Sequence, residues 1–359
     1  MRKKILIVNP FGIGDVIFST PLVEILKKNF PDSRIGYVCN KRVSELMEAN
    51  PCIDKIFIYE KDDYRDAWKN SRIKCIKKIM LFLNDIRKER FDISIDLSLA
   101  YQNSMLLKLI GIKKRIGLNY RNRGRFLTDR MDIRGFDSKH VIEYYLDMLR
   151  PLKIERGSSL IVPVVYLSSQ NVDWANNFLK DNGITAGDKL AGLIPGCGAS
   201  WGKDAHYRRW SPWKFAEVAD HIAGQHNYKI LLFGDPKEIP LCEEVRGGMK
   251  TKPVVSCGKT TLGQMAALLD KCDLVVTNDG GPLHMAVALK KKIVAIFGPV
   301  DEKVYGPYPQ AGRYITVTSN VRCRPCYKNF KYGKCDTLDC LKNIKPADVI
   351  NAVEKLMGS

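Results

Sequence analysis

Short apolar runs recur along this chain, each closed by a turn and followed by a stretch with helical spacing, and that alternation limits the fold more than any other feature. Lys4–Asn9 is a continuous apolar run, suited to a strand buried on both faces of a parallel sheet. Asp15–Asn29 follows with Val16, Leu22, Ile25 and Leu26 able to share one helix face. Arg34–Cys39, Lys55–Tyr59, Asp92–Leu97 and Arg115–Leu118 read as further strands, Ala67–Glu89 as one basic helix, and 119–139 as a loop rich in Arg, Gly and Asp. After an extended linker near 154–168 the scheme repeats, with strands at Lys189–Ile194, Lys229–Phe233, Asp273–Thr277 and Lys292–Phe297. Strands alternating with helices imply parallel sheets joined by right-handed crossovers. At roughly 150 residues per domain, 359 residues predict two domains, 1–160 and 161–359. The expected fold class is α/β, two doubly wound Rossmann-like domains facing a central cleft, with ligands at the carboxyl ends of the strands.

Composition narrows the setting. No run of 18 apolar residues is present, so a spanning helix is not expected. The basic start, Met1–Lys4, precedes an apolar run of only about four residues, too short for a signal-peptide core. A first buried strand and a cytoplasmic protein are the better reading. Lys and Arg outnumber Asp and Glu by 58 to 39, a net charge of +19 that attracts anions of any kind. The chain carries no recognised RNA or DNA motif and no interleaving of aromatic and basic residues, so nucleic acid is not an expected partner.

Three turns can carry chemistry. Phe11-Gly12-Ile13-Gly14-Asp15 joins the first strand to the first helix, where glycine permits a tight backbone. Asp15 in such a turn would repel a pyrophosphate, so it is either a proton acceptor or a helix cap. Asn278-Asp279-Gly280-Gly281-Pro282-Leu283-His284 opens another helix, whose free N–H groups suit an anion. His284 alone reads more readily as a satisfied core histidine. Pro195-Gly196-Cys197-Gly198-Ala199-Ser200 is followed by the cations Lys203, Arg208 and Arg209 and by Trp210; a Gly turn with a hydroxyl and cations suits a leaving diphosphate, and the plainer reading is a solvated basic loop that Trp210 anchors to the core. Glu238, just past Gly234-Asp235-Pro236, is a candidate acceptor for ribose hydroxyls; the plainer reading is a surface acid at a helix start.

Taken in order, these pieces resemble the ADP-heptose:lipopolysaccharide heptosyltransferases, glycosyltransferase family 9, of GT-B fold. The resemblance rests on Ile5–Leu22, Ile194–Phe215, Leu231–Glu238 and Leu274–Pro299, and its first and last stretches are the most specific. It implies an inverting, metal-independent transfer with Asp15 as general base beside Gly14. The donor nucleotide-sugar would be held by Ser200, Lys203, Arg208, Glu238, Asp279, Gly280, Gly281 and His284. The stretch before the Arg-Trp pair is longer than usual, so Lys203 and Arg208 compete for the phosphate role. Gly280 stands where the family often has Ser or Thr. The implied acceptor is a phosphorylated, lipid-linked saccharide at the inner membrane. Arg121, Arg123 and Arg125 are then candidate contacts for acceptor phosphates or acidic lipid, which would make the protein peripheral there. Rival readings are a sugar epimerase on the same fold or a non-catalytic nucleotide-sugar-binding protein.

Eleven cysteines remain to be placed, four of them in a Cys-rich segment at 323–340. Cys323-x2-Cys326 with Cys335 and Cys340 has a spacing compatible with a structural zinc, against the plainer alternative of reduced thiols in a loop. No cofactor is expected to be needed for catalysis.

Overall fold

The computed structural model describes residues 2–155, 161–309 and 312–358; the side chains of residues 199–201 and 203 lie outside that description. The chain forms two compact units, Met1–Ile161 and Val162–Ser359.

The first unit holds six strands: β1 (Lys4–Val8), β2 (Arg34–Cys39), β3 (Lys55–Ile58), β4 (Ile93–Asp96), β5 (Lys114–Tyr120) and β6 (Asp129–Ile133). They lie in the order β3-β2-β1-β4-β5-β6, and every pairing is parallel. Among the described residues its α-helices are α1 (Ile13–Asn29), α2 (Lys41–Glu48), α3 (Lys61–Asn70), α4 (Arg72–Lys88), α5 (Tyr101–Leu109) and α6 (Val141–Leu146), the last running into a 3-10 turn at Asp147–Leu152. The apolar run Ile5–Val8 is at most 4% exposed, as a central strand covered on both faces must be.

Two expectations fail here. The basic stretch from Ala67 is two helices, because Ser71 turns extended and its hydroxyl caps α4 by accepting from Lys74 N. The 119–139 segment contains an edge strand, β6, whose Asp-Arg-Met-Asp-Ile sequence alternates outward polar residues with half-buried ones and so lacks an apolar run.

The second unit repeats the plan with β7 (Lys189–Ile194), β8 (Tyr228–Leu232), β9 (Val254–Val255), β10 (Leu274–Asn278), β11 (Lys292–Ile296) and β12 (Tyr314–Val317). Their order, β12-β11-β10-β7-β8-β9, is the same doubly wound order counted from the other edge. The helices are α7 (Ser169–Asp181), α8 (Pro212–His226), α9 (Ile239–Gly248), α10 (Leu262–Lys271), α11 (Gly281–Ala288), the short α12 (Glu302–Tyr305) and α13 (Asp339–Lys342), and α14 (Pro346–Met357). A small antiparallel hairpin, β13 (Tyr327–Lys328) with β14 (Lys331–Tyr332), stands apart from the sheet. Trp210 and Phe215 join β10, β11 and α14 in one core.

Ligands of doubly wound sheets gather where the strand order reverses, outside the carboxyl ends of the two central strands. In the first unit these are β1 and β4; in the second, β7 and β10. The turns singled out by sequence follow β1, β7 and β10.

Candidate active site

The turn after β1 is held from two sides by buried amides. Asn9 Nδ2 donates to Asp15 O at 2.9 Å, and Asn40 Nδ2 donates to Phe11 O at 2.5 Å while its Oδ1 accepts from Arg42 N at 3.0 Å. Gly12 occupies the N-cap of α1, so Asp15 is not the cap; it lies in the first turn beside Gly14. A carboxylate there is favoured by the positive end of the helix dipole. Beneath it Ser19 Oγ and Tyr37 OH share a 2.6 Å hydrogen bond. Burial drives the Tyr37 phenol far above its ordinary pKa, and the negative charge of nearby Asp15 adds to the shift.

The neighbouring strand end supplies a carboxyl that the sequence reading missed. Asp96 ends β4 opposite Val8 of β1 and is 4% exposed. Burial pushes its carboxyl up to about 6, against hydrogen bonds from Ser98 that pull the other way. Its only signal in the sequence is an acid at the end of a short apolar run. The exposed Arg121 and Arg123 lie over the Tyr120 ring, and Arg125 lies over the rings of Tyr101 and Phe126.

The second unit brings three of its sequence segments together. Fully buried Asn278 is the hub. Its Nδ2 donates to Pro195 O at 2.7 Å, and its Oδ1 accepts from Trp210 N at 3.1 Å. Trp210 does anchor its loop to the core, being 1% exposed and donating from Nε1 to Ile344 O at 3.0 Å. Asp279 Oδ2 accepts from Arg208 Nη1 at 2.6 Å, and both side chains are buried. Arg208 Nε donates to Tyr332 OH at 2.6 Å, and its guanidinium lies 5.2 Å from the Tyr327 ring. Burial opposes the Arg208 charge, but Asp279 and the two phenols hold its pKa above the ordinary arginine value, so the guanidinium stays charged. Asp279 Oδ1, by contrast, is buried without a hydrogen-bond partner.

Glu238 departs from the surface acid that its position suggests. It is 3% exposed, and its Oε1 accepts from Cys197 N at 3.1 Å, Gly198 N at 3.2 Å and Arg209 Nη2 at 3.2 Å. Its Oε2 accepts from Asp235 N at 3.1 Å. One carboxylate therefore ties the turn after β7 to the turn after β8. Gly196 is required by that packing, since a Cβ there would sit 2.2 Å from the Glu238 carboxylate. Gly280 has an equally local reason: a Cβ would meet the Cys197 carbonyl oxygen at 2.5 Å. The hydroxyl residue common at this position in the resembled family has no room here.

Gly281 starts α11, with Gly280 at the N-cap and Pro282 in the first turn. His284 is buried one turn in, at 6% exposed. The N–H groups of this helix start can bind an anion, helped by the helix dipole. Ser200 and Lys203 have side chains outside the described residues, so the competition between Lys203 and Arg208 is seen from one side only. Arg208 is committed to Asp279 and Tyr332. Arg209, one of the loop cations that the sequence offers for a diphosphate, instead holds Glu238 and keeps a buried Nε with no hydrogen-bond partner.

The four late cysteines are neighbours. Burial raises the Cys326 and Cys340 thiols, Cys340 to about 11, and the other thiols of the group push them further in the same direction. They do not converge as a ligand set. Among the described residues, the one group of three metal-capable side chains with atoms within 4.8 Å of one another is His221, His226 and Glu354. As placed, the thiols do not fit a four-thiolate zinc centre. Among the described residues no helix is long and apolar enough to cross a membrane.

Comparison with known proteins gives this geometry a context. The profile of glycosyltransferase family 9 (heptosyltransferase) matches residues 79–335. Lipopolysaccharide heptosyltransferase 3 of Escherichia coli is 25% identical over 96% of this chain and 97% of its own length. Lipooligosaccharide heptosyltransferase 2 of Campylobacter jejuni is 26% identical over 99% and 98%. The crystal structure of a family 9 glycosyltransferase from Veillonella parvula superposes with a TM-score of 0.81 at 29% identity, covering 99% of this chain and 98% of that one. The two-unit plan is thus that of GT-B glycosyltransferases.

Proposed function

Because this chain belongs to glycosyltransferase family 9 and is a glycosyltransferase, we propose that it transfers a heptose from ADP-heptose to the core saccharide of a lipopolysaccharide. The observation that carries this reading is the near full-length match to heptosyltransferases, 96–99% of the chain. In this reading the first unit binds the acceptor and the second binds the donor.

The transfer inverts the anomeric carbon. Asp15 takes the proton of an acceptor hydroxyl, the hydroxyl oxygen forms a bond to the anomeric carbon from the face opposite the leaving group, and the bond to the diphosphate oxygen breaks. ADP leaves with the electron pair. The N-terminus of α11, at Gly280 and Gly281, and nearby cations stabilise its charge, and no metal takes part. Asp279 Oδ1, buried and without a partner, accepts a donor hydroxyl, while Oδ2 stays with Arg208. Glu238 reaches the ribose through Oε2, the less engaged of its two oxygens. His284, one turn into α11, lines the sugar side. The acceptor is a phosphorylated, lipid-linked saccharide, with Arg121, Arg123 and Arg125 toward its phosphates, and the enzyme works peripherally at the cytoplasmic face of the inner membrane. Zinc has no part in this reading.

The decisive measurement is Asp15→Asn. Loss of a general base slows transfer by about 10²–10⁴-fold, while the Kd for ADP-heptose should stay within about threefold, or under 1 kcal/mol. Transfer at the wild-type rate would remove Asp15 from the mechanism.

A further inference from the structure

The outer face of α4 does not look like the exposed side of an ordinary surface helix. Cys75, Ile79, Phe82 and Ile86 point inward, and Cys75 and Ile86 are buried. A second apolar stripe runs along the outside: Ile73 is 80% exposed, Ile76 49% and Met80 64%. Their spacing, i, i+3 and i+7, sets them in one line. Trp68 of α3, 50% exposed, lies beside the start of that line, with the Arg72 guanidinium 5.6 Å from its ring. Leaving side chains of this size half or more in water forgoes about 1–2 kcal/mol each, so a row of them marks a surface that is covered in use.

The charge around the row identifies the cover. From Lys69 to Leu81 the sequence has five cations and no acid. Lys78 is engaged by Asp63 at 2.8 Å. Lys69, Lys74 and Lys77 are exposed and make no ion pair among the described residues. An apolar row edged by uncompensated lysines matches the boundary of an anionic bilayer, where aliphatic side chains enter the acyl layer, ammonium groups meet phosphates and a tryptophan settles at headgroup depth. A protein partner would need an acidic rim around an apolar groove; a bilayer supplies both chemistries over any area.

We propose that the outer face of α4, with Trp68 of α3, is a membrane-docking surface that seats this enzyme on anionic lipid. This is a different place from the Arg121–Arg125 loop. The proposal rests on the reading of a lipid-linked acceptor only for its biological sense. Vesicle binding is measured with neither donor nor acceptor, so its failure and a failure of heptose transfer are separate results.

The test is co-sedimentation of the full chain with vesicles of equal parts phosphatidylethanolamine and phosphatidylglycerol, and with vesicles of phosphatidylcholine alone. The expected result is binding to the first and weak binding to the second. Lys74→Ala with Lys77→Ala should lower partitioning roughly thirtyfold, about fivefold for each lysine. Ile73→Ser with Met80→Ser should abolish it. All four positions are exposed, so an unchanged melting temperature verifies the fold of both variants. Equal binding by wild type and variants, or no binding by wild type, overturns the proposal. So does a wild-type dimer by light scattering that Ile73→Ser with Met80→Ser converts to monomer, since the face would then be covered by a second copy.

Discussion

Asp96 keeps a carboxyl in a dry place, between two central strands. Its pKa near 6 lies above the ordinary 3.8, so the folded protein holds that proton more tightly than the unfolded chain does. Folding stability therefore falls as pH rises through that interval, and above about pH 6 the whole cost, about 3 kcal/mol, is present. Asp96→Asn keeps an acceptor for Ser98 N and removes the charge. The variant should be more stable than wild type by up to about 3 kcal/mol at pH 7.5, with the difference vanishing below pH 4. Urea unfolding at the two pH values checks this; equal stabilities at both would mean that the carboxyl is solvated. Residue-level chemistry was only partly legible beforehand. Asp15, Asp279 and Arg208 stand out because acids and cations beside glycine turns are few. Asp96 does not, since its significance comes from burial; Arg209 is legible as a loop cation, but its tie to Glu238, distant in sequence, is not. Glu238 was visible, but its burial under four donors was not.

Among the elements, the central strands were the easiest to anticipate, because β1, β7, β10 and β11 are short apolar runs that a parallel sheet buries on both faces. The edge strand β6 and the hairpin β13–β14 were not anticipated, since pairing rather than composition makes them strands. That hairpin matters beyond its size. It carries Tyr327 and Tyr332 to Arg208, and Tyr207 stacks on Tyr332 with ring centroids 4.8 Å apart. Tyr332→Phe keeps the stack and removes the phenolic acceptor of Arg208 Nε. An unmet buried N–H costs about 1–3 kcal/mol, so the variant should melt lower and bind donor more weakly. Unchanged donor affinity would show that the hairpin braces the fold but not the site. Elsewhere α14 is fastened to α8 by His221 and His226, each 2.7 Å from Glu354 Oε1. Those bonds hold the Glu354 carboxyl below its ordinary pKa. Their contribution to stability is complete above the unfolded carboxylate range and is lost as the pH falls through the lowered value.

At the scale of the molecule, the net charge of +19 suits a diphosphate donor, a phosphorylated acceptor and an anionic bilayer alike, and so says little about any one of them. On the proposed reading, binding of donor or product to the second unit stabilises the folded state by mass action. At a hundred times its Kd, ADP should add about 2.7 kcal/mol and raise the melting temperature of the second unit by roughly 5–10 °C. GDP and UDP at the same concentration should do less. An equal shift with all three would remove adenine from the donor's description.

One strand order is used twice in this chain, and each use has its own reversal point. On the proposed division of acceptor and donor, recognition is an inheritance held in two separate portions. With the acceptor on the first unit, as proposed, substitutions before residue 161 would retune the acceptor while every contact of Asn278, Glu238 and Arg208 stays as it is. A lineage that changes its outer saccharide can rewrite the first portion and copy the second. Sequence divergence among enzymes with different acceptors should accordingly concentrate in the first half, and a graft of that half between two relatives should carry acceptor choice with it.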